Sequence, residues 1–415
     1  MNVWIVNPFD PLPGDPEQEG RYATLARLLA ARGHAVTWWT SAFSHRFKRP
    51  VDQAAILAAS RTLGLEVRFL AAPPYERNVS IARLRNHRRL AAEFASRAHA
   101  ETQRPAVIVA SSPPPGLARA AMRLARDRGA RGLVDVQDAW PDAFPLALPR
   151  PVRPLARLLI APWRRTAAAA YRAADAIVGV ADAYVELATT LGGPKPLAET
   201  IPLGVDLAAF DRAAAAGRCP EFTKPPGETW LVYAGSLGRN YDCLTILRAA
   251  TILKDRIKTP WRLFVSGRGE QEANARRIVA DAGLANVTLA GFMTFEAHAY
   301  LLTQCDVALN AVFPEMLIHL PNKIFYYMAA GAAILNTIPG QCSRIVREAG
   351  IGLDYEAGNP DSCAAAAARL IGDAAALKAM GAAARRLAET QYNRKILYRR
   401  YVEAIERVAA GAAAS

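Results

Sequence analysis

The sequence predicts an α/β protein made of two Rossmann-like domains whose parallel sheets face a central cleft. Three observations lead there. The chain of 415 residues is about twice what one hydrophobic core supports. Short β-prone runs alternate with segments of helical spacing, the pattern of parallel strands joined by helical crossovers. The alternation then starts afresh after the turn Ile201-Pro202-Leu203-Gly204-Val205-Asp206. These features predict a first domain over residues 1–203, a second over 204–390, and a helix over 391–415 that can cross back to the first.

The run Val3-Trp4-Ile5-Val6 reads as the opening strand. After a loop over residues 7–20, Leu25, Leu28 and Leu29 give helical spacing that Gly33 ends, and Ala35-Val36-Thr37-Trp38-Trp39-Thr40 supplies the next strand. This is a βαβ unit with its ligand loop at residues 7–20. Further strands are expected near 65–70, 106–110, 132–136 and 176–180. In the second half strands fall at 230–233, 261–266, 287–290, 307–311 and 333–335. Helices fall at 242–254, 270–282, 295–303 and 323–330, and an Ala-rich helical tail starts near Asp361.

Composition narrows the partners. With 52% apolar and 21% charged residues, the chain buries enough surface to fold. Five scattered cysteines without a CxxC pair fit reduced thiols. The N-terminus lacks the pattern of a signal peptide, and no run is long enough to span a membrane, so a cytosolic location is expected. The net charge of +14 calls for an anionic partner. Residues 143–174 hold no acid, while Arg150, Arg153, Arg157, Arg164, Arg165 and Arg172 interleave with Leu155, Leu158, Leu159, Ile160 and Trp163. That segment is either a solvated helix packed on its own domain or a contact with an anionic membrane at the inner face of the cytoplasmic membrane. A second basic stretch, Arg77, Arg83, Arg85, His87, Arg88 and Arg89, lacks the interleaved aromatics of a single-strand platform, so nucleic acid is not the expected partner.

The chemistry is expected in the loops. Val232-Tyr233-Ala234-Gly235-Ser236-Leu237-Gly238-Arg239-Asn240 reads as strand, glycine loop, helix, with Arg239 placed to grip a diphosphate. Phe264-Val265-Ser266-Gly267-Arg268-Gly269 repeats the form, and Gly291-Phe292-Met293 gives a third loop. Leu320-Pro321-Asn322-Lys323 leads into a helix that Gly331 closes. Asp138 follows a strand and is either a base or orienting group for an attacking hydroxyl, or a carboxylate capping the next turn. Trp140 reads as packing the loop rather than stacking on a sugar. Of the lone histidines His34 and His319, the second, just before Lys323, is the better functional candidate.

The order of YAGSLG, VSGRG, NVTLAGF, CDVALN, LPNKIFYYMAAGAAIL and GIGLDY resembles family 4 glycosyltransferases of the GT-B fold. The first half, through RGHAVTWWTS, SSPPPG, Asp138-Ala139-Trp140-Pro141 and IPLGVD, resembles their acceptor domain, particularly in the bacterial capsule, O-antigen and exopolysaccharide branch. The resemblance implies retaining transfer of a hexose or related sugar from a nucleotide-diphosphate-sugar, a co-substrate rather than a cofactor. The acceptor is lipid-linked or a glycan, and no metal is obligatory. Arg239 and Lys323 would neutralise the leaving diphosphate. Backbone at Phe292 and Met293 would contact the base, and Gly20 would let the first domain approach the phosphates. With Gly235, Ser236, Gly267, Arg268, His319, Leu320 and Asn322 these form the expected donor site. The family commonly carries two acids here, where this chain has Tyr326 and Ile318; Glu315 is the nearest substitute. Two rival readings keep the fold: a nucleotide-sugar epimerase, and a non-catalytic nucleotide-binding assembly partner.

Overall fold

The computed structural model describes residues 1–14, 20–78, 80–148 and 150–411. Its contacts divide the chain into two compact units, Met1–Pro202 with Tyr398–Ser415, and Leu203–Leu397. Each unit is Rossmann-like, built on a parallel sheet.

The first unit contains β1 (Asn2–Val6), β2 (Ala35–Ser41), β3 (Phe43–Ser44), β4 (Arg49–Pro50), β5 (Leu65–Leu70), β6 (Val107–Ser112), β7 (Arg131–Val136), β8 (Ala176–Gly179) and β9 (Leu197–Thr200). Seven of them form one parallel sheet in the order β5-β2-β1-β6-β7-β8-β9; β3 and β4 pair as a small antiparallel ribbon. The strand β6, VIVASS, is buried at every position. Such a run suits a strand covered by helices on both faces, where alternation of polar and apolar residues is not required.

The second unit carries β10 (Thr229–Ala234), β11 (Trp261–Ser266), β12 (Val287–Gly291), β13 (Val307–Asn310), β14 (Ala333–Asn336) and β15 (Gly352–Asp354), ordered β12-β11-β10-β13-β14-β15. In each sheet the chain builds outward from its first strand, then returns to that strand's other side. The reversal falls between β1 and β6 in one unit and between β10 and β13 in the other. Crevices at the carboxyl ends of such strands are where open α/β sheets hold ligands.

The helix Arg394–Ala409 contributes its later turns to the first unit. There Arg21 is fully buried. It makes two hydrogen bonds to Asp135, at 2.7 and 3.2 Å, and donates to the Ile201 carbonyl at 2.9 Å. The rings of Tyr398 and Tyr401 cover its guanidinium at 5.4 and 4.6 Å. The five cysteines are free thiols, four of them buried. Among the described residues no helix is long and apolar enough to cross a membrane.

Candidate functional site

In the second unit the loops after β10, β11 and β12 stack on one another. The Gly235 N–H donates to the Ser266 carbonyl at 2.9 Å, the Gly267 N–H to the Gly291 carbonyl at 2.7 Å, and the Leu237 N–H to the Arg268 carbonyl at 2.9 Å. A Cβ on Gly267, whose φ is +138°, would lie 1.8 Å from the Gly235 oxygen. That glycine is therefore required by loop-on-loop packing before any ligand is considered. The Tyr233 hydroxyl donates to the Ser236 carbonyl at 2.8 Å and pins the first loop.

Lys323 opens the helix Lys323–Ala330, which Gly331 closes in the left-handed conformation at φ 72°. Its Nζ lies 4.5 Å from the centre of the Tyr233 ring and 5.2 Å from that of Tyr241. A Cβ on Gly235 would meet the same Nζ at 3.2 Å, so the lysine lies against the glycine loop. The Nζ is buried and has no hydrogen-bond partner among the described residues. Burial lowers its pKa from 10.5 to about 7, opposed by the Cys243 and Cys342 thiols. A lysine at a helix N-terminus, beside a glycine loop and without a counter-ion, is an arrangement that gains most from an arriving anion.

Polar groups from adjacent strands lie nearby. Asn310 donates to Asn336 at 2.9 Å and to the Cys342 sulfur at 3.2 Å, and Asn336 donates to Asp354 at 2.7 Å. The Tyr327 hydroxyl accepts from the Ala234 N–H at 3.1 Å and lies 3.3 Å from the Leu309 carbonyl, which ties the Lys323 helix to β10 and β13.

The remaining expected donor-site residues occupy varied surroundings. Arg239 is exposed and paired with Glu270 at 3.4 Å. Ser236, Arg268, Asn322 and Phe292 are exposed, Met293 and His319 half-buried, and Leu320 buried. Glu315 lies exposed in a single 3-10 turn, Pro314–Met316. Tyr326, at the position expected to be acidic, packs its ring near Phe210 and Phe295, with centroids at 6.2 and 5.9 Å. Of the expected donor-site residues, the structure brings Gly235, Gly267 and Lys323 into direct proximity, with the Arg268 backbone bonded to the same loop.

In the first unit, Gly20 precedes the helix Arg21–Ala31, and the Asp10 carboxylate occupies the space a Cβ there would need, at 2.6 Å. Asp10 also accepts from the Tyr22 N–H at 2.8 Å. The helix N-terminus expected to face phosphate is thus capped by a carboxylate of the same chain. Residues 15–19 of the expected ligand loop lie outside the described residues. His34 is bonded to Glu406 at 2.9 Å.

Asp138 presents a face to solvent, yet its crowded surroundings raise its pKa, against the Ala139 N–H and the Arg83 charge, which lower it. Beside it Arg83 donates to the Asn78 carbonyl at 2.8 Å and to the His87 ring at 3.3 Å. Burial, reinforced by Arg83 and His45, lowers the His87 pKa to about 3, so this ring is neutral and accepts. Trp140 is buried against His87 and Phe144. Arg83, His87, Trp140 and Phe144 line a pocket of about 260 Å³ together with Ile160 and Trp163.

The basic segment forms the helix Arg153–Ala173, preceded by a short 3-10 turn, Arg150–Val152. One stripe, Ala156, Ile160, Ala167, Ala170 and Tyr171, packs on the domain, while Leu155, Leu158 and Leu159 are exposed. The sequence reading missed Tyr233 and Tyr241 as neighbours of Lys323, although both flank the glycine loop in sequence. It also missed Cys342, which comes from a separate helix, and Arg83, which it noted only as part of a charge run.

Two family models of glycosyl transferases together match most of the chain. The model for Glycosyl transferases group 1 matches residues 228–373, and that for Glycosyl transferase 4-like domain matches residues 20–204. Among solved structures, Anabaena HepE in complex with UDP is similar over 98% of this chain and 100% of its own, with a TM-score of 0.70 and 13% identity. Sucrose-phosphate synthase from Thermosynechococcus elongatus covers 99% and 100% at 0.67 and 17%. WaaG, a glycosyltransferase involved in lipopolysaccharide biosynthesis, covers 98% and 99% at 0.63 and 13%. No curated protein matches the chain by sequence.

Proposed function

Because the chain belongs to the family 4-like glycosyltransferases of the GT-B fold, we propose that it transfers a hexose or related sugar from a nucleotide-diphosphate-sugar to a lipid-linked or glycan acceptor. The observation that carries this reading is the buried Nζ of Lys323, unpaired beside Gly235 and the Tyr233 ring. Similar structures hold UDP, or UDP-glucose, in HepE, and supply the kind of anion that such a lysine suits.

The reaction breaks the bond between the sugar's C1 and the diphosphate oxygen, which leaves with the electron pair. The acceptor oxygen bonds to C1 and gives up its proton. Lys323 and loop N–H groups offset the charge that grows on the leaving oxygens. Arg239 joins them by releasing Glu270, at little cost because an exposed ion pair contributes about 0–1 kcal/mol. Asp138 takes or orients the acceptor proton, its raised pKa making it a better base than an ordinary carboxylate. Transfer proceeds with retention at C1 and without an obligatory metal. The exposed leucines and arginines of the helix Arg153–Ala173 hold the enzyme at the inner face of the cytoplasmic membrane.

Thermal-shift screening of nucleotide-sugars, followed by transfer assays on Lys323→Ala and Arg239→Ala, tests this reading, since a ligand bound by the folded state alone raises stability. Undiminished donor binding and transfer in both variants would remove the diphosphate assignment. Turnover of donor without any acceptor would favour epimerisation instead.

A further inference from the structure

Between the helices Ile81–Ala100 and Arg153–Ala173 lies the pocket of about 260 Å³ described above. Its walls include Ile81, Leu84, Phe144, Ile160, Trp163 and the buried Trp140. A second hollow of about 360 Å³ shares Leu84, His87, Trp140 and Trp163 with it, so the apolar space continues past the first pocket. Arg83 also lines the first pocket, partly buried, and its hydrogen bonds go to the neutral Asn78 carbonyl and the neutral His87 ring. The Lys48 ammonium is bonded to the Asn78 side chain at 2.7 Å and feels the Arg83 charge, a second cation near Arg83.

We infer that this pocket binds the hydrocarbon chain of a lipid phosphate, with the phosphate at Arg83. The inference rests on the lipid-linked branch of the proposed function and gives that acceptor a place and a chemical class. Three features favour this occupant. Arg83 offers a guanidinium fork suited to phosphate oxygens, in the lining of a cavity whose other walls are mostly apolar side chains. A peptide would bring backbone N–H and C=O groups against walls with few partners for them. The helix that forms one wall also carries Leu155, Leu158 and Leu159 exposed at 61–71%, within a stretch free of acidic residues from 143 to 174. Its outer stripe therefore suits the lipid surface from which such a chain would enter. Asp138 interacts electrostatically with Arg83, which places the candidate proton acceptor near the phosphate end of the chain.

Decyl phosphate, below its micelle-forming concentration, is the probe, titrated into the full chain by calorimetry beside decanol and inorganic phosphate. Saturable binding of one decyl phosphate per chain is expected. Leu84→Trp, which fills the cavity, and Arg83→Gln, which removes the charge, should each raise its Kd by roughly tenfold, equivalent to one charge-assisted hydrogen bond or a few buried methylenes. Arg83→Gln should leave decanol binding within about twofold. Replacing Leu155, Leu158 and Leu159 together by Ser should spare decyl phosphate binding and reduce sedimentation with anionic vesicles. Absence of saturable binding, or an unchanged Kd in both Leu84→Trp and Arg83→Gln, overturns the inference. So does a loss in the triple serine variant equal to that in Leu84→Trp, since it would move the chain to the outer stripe. UDP binding, followed in the same samples, separates the two readings: failure of decyl phosphate with UDP binding intact sinks the pocket assignment and leaves sugar transfer standing.

Discussion

Replacing Lys323 by Met keeps an unbranched stem of similar length and removes the buried charge. The pKa of Lys323 falls from 10.5 in the unfolded chain to about 7 in the folded one. Each pH unit between those values is equivalent to about 1.36 kcal/mol, so the folded protein carries a penalty of about 5 kcal/mol at neutral pH and below. The sign follows from the protons. Between about pH 7 and 10.5 the unfolded chain holds a proton that the folded chain does not, so wild-type stability rises with pH across that window. Lys323→Met lacks this rise. The variant should be more stable than wild type by at least about 2 kcal/mol at pH 7, the rest of the ceiling being offset by lost packing on the two tyrosine rings. Between pH 7 and pH 9.5 the difference should move by about 3 kcal/mol in favour of the wild type. Urea unfolding at several pH values measures it, and the same variant should lose UDP binding. Parallel stability curves for the two proteins, or a less stable variant at pH 7, would refute the claim that Lys323 is held as a strained cation.

Asp135→Asn leaves Arg21 buried with half its partner removed, and a loss of about 3 kcal/mol in unfolding free energy is expected; a change under about 1 kcal/mol would show that Arg21 does not need the carboxylate. Gly267→Ala forces a methyl group to within 1.8 Å of the Gly235 oxygen at a φ of +138°, so it should destabilise the second unit by more than about 2 kcal/mol and weaken UDP binding. Circular-dichroism melts and calorimetry read both effects, and wild-type behaviour would mean the loops do not stack as described. Leu158→Ser with Leu159→Ser should cut binding to anionic vesicles with little change in melting temperature, because both leucines are exposed; equal sedimentation of variant and wild type would detach the helix Arg153–Ala173 from any membrane role.

Most strands were legible because central runs such as Trp230-Leu231-Val232-Tyr233 are apolar on both faces; β9 and β15, only four and three residues long, were not among the expected strands. The glycine loops were legible too, though only one of their reasons was. Gly267 was read as part of the donor site, whereas its nearest demand comes from the Gly235 carbonyl, a contact between loops 32 positions apart that no local pattern encodes. Gly20 has a similar history, its Cβ space being taken by Asp10. The basic segment showed its mixture of arginine and leucine plainly. What the sequence could not divide was which leucines pack and which remain outside, because two apolar stripes on one helix overlap when read along the chain. Arg83 was visible as charge alone; that it borders an apolar pocket depends on Trp140 and Trp163, which come from other parts of the fold.

The rings of Tyr398 and Tyr401 around Arg21 also bear on how the protein is made. Residues 203–397 form a contiguous unit that can close as soon as they leave the ribosome, but the first unit waits for a segment synthesised nearly 200 residues later. Until then the Arg21 guanidinium, already committed to Asp135, lacks its aromatic cover. The half that emerges first is therefore the half that matures last, and a nascent chain stalled before Tyr398 would display an unfinished N-terminal core to chaperones and proteases.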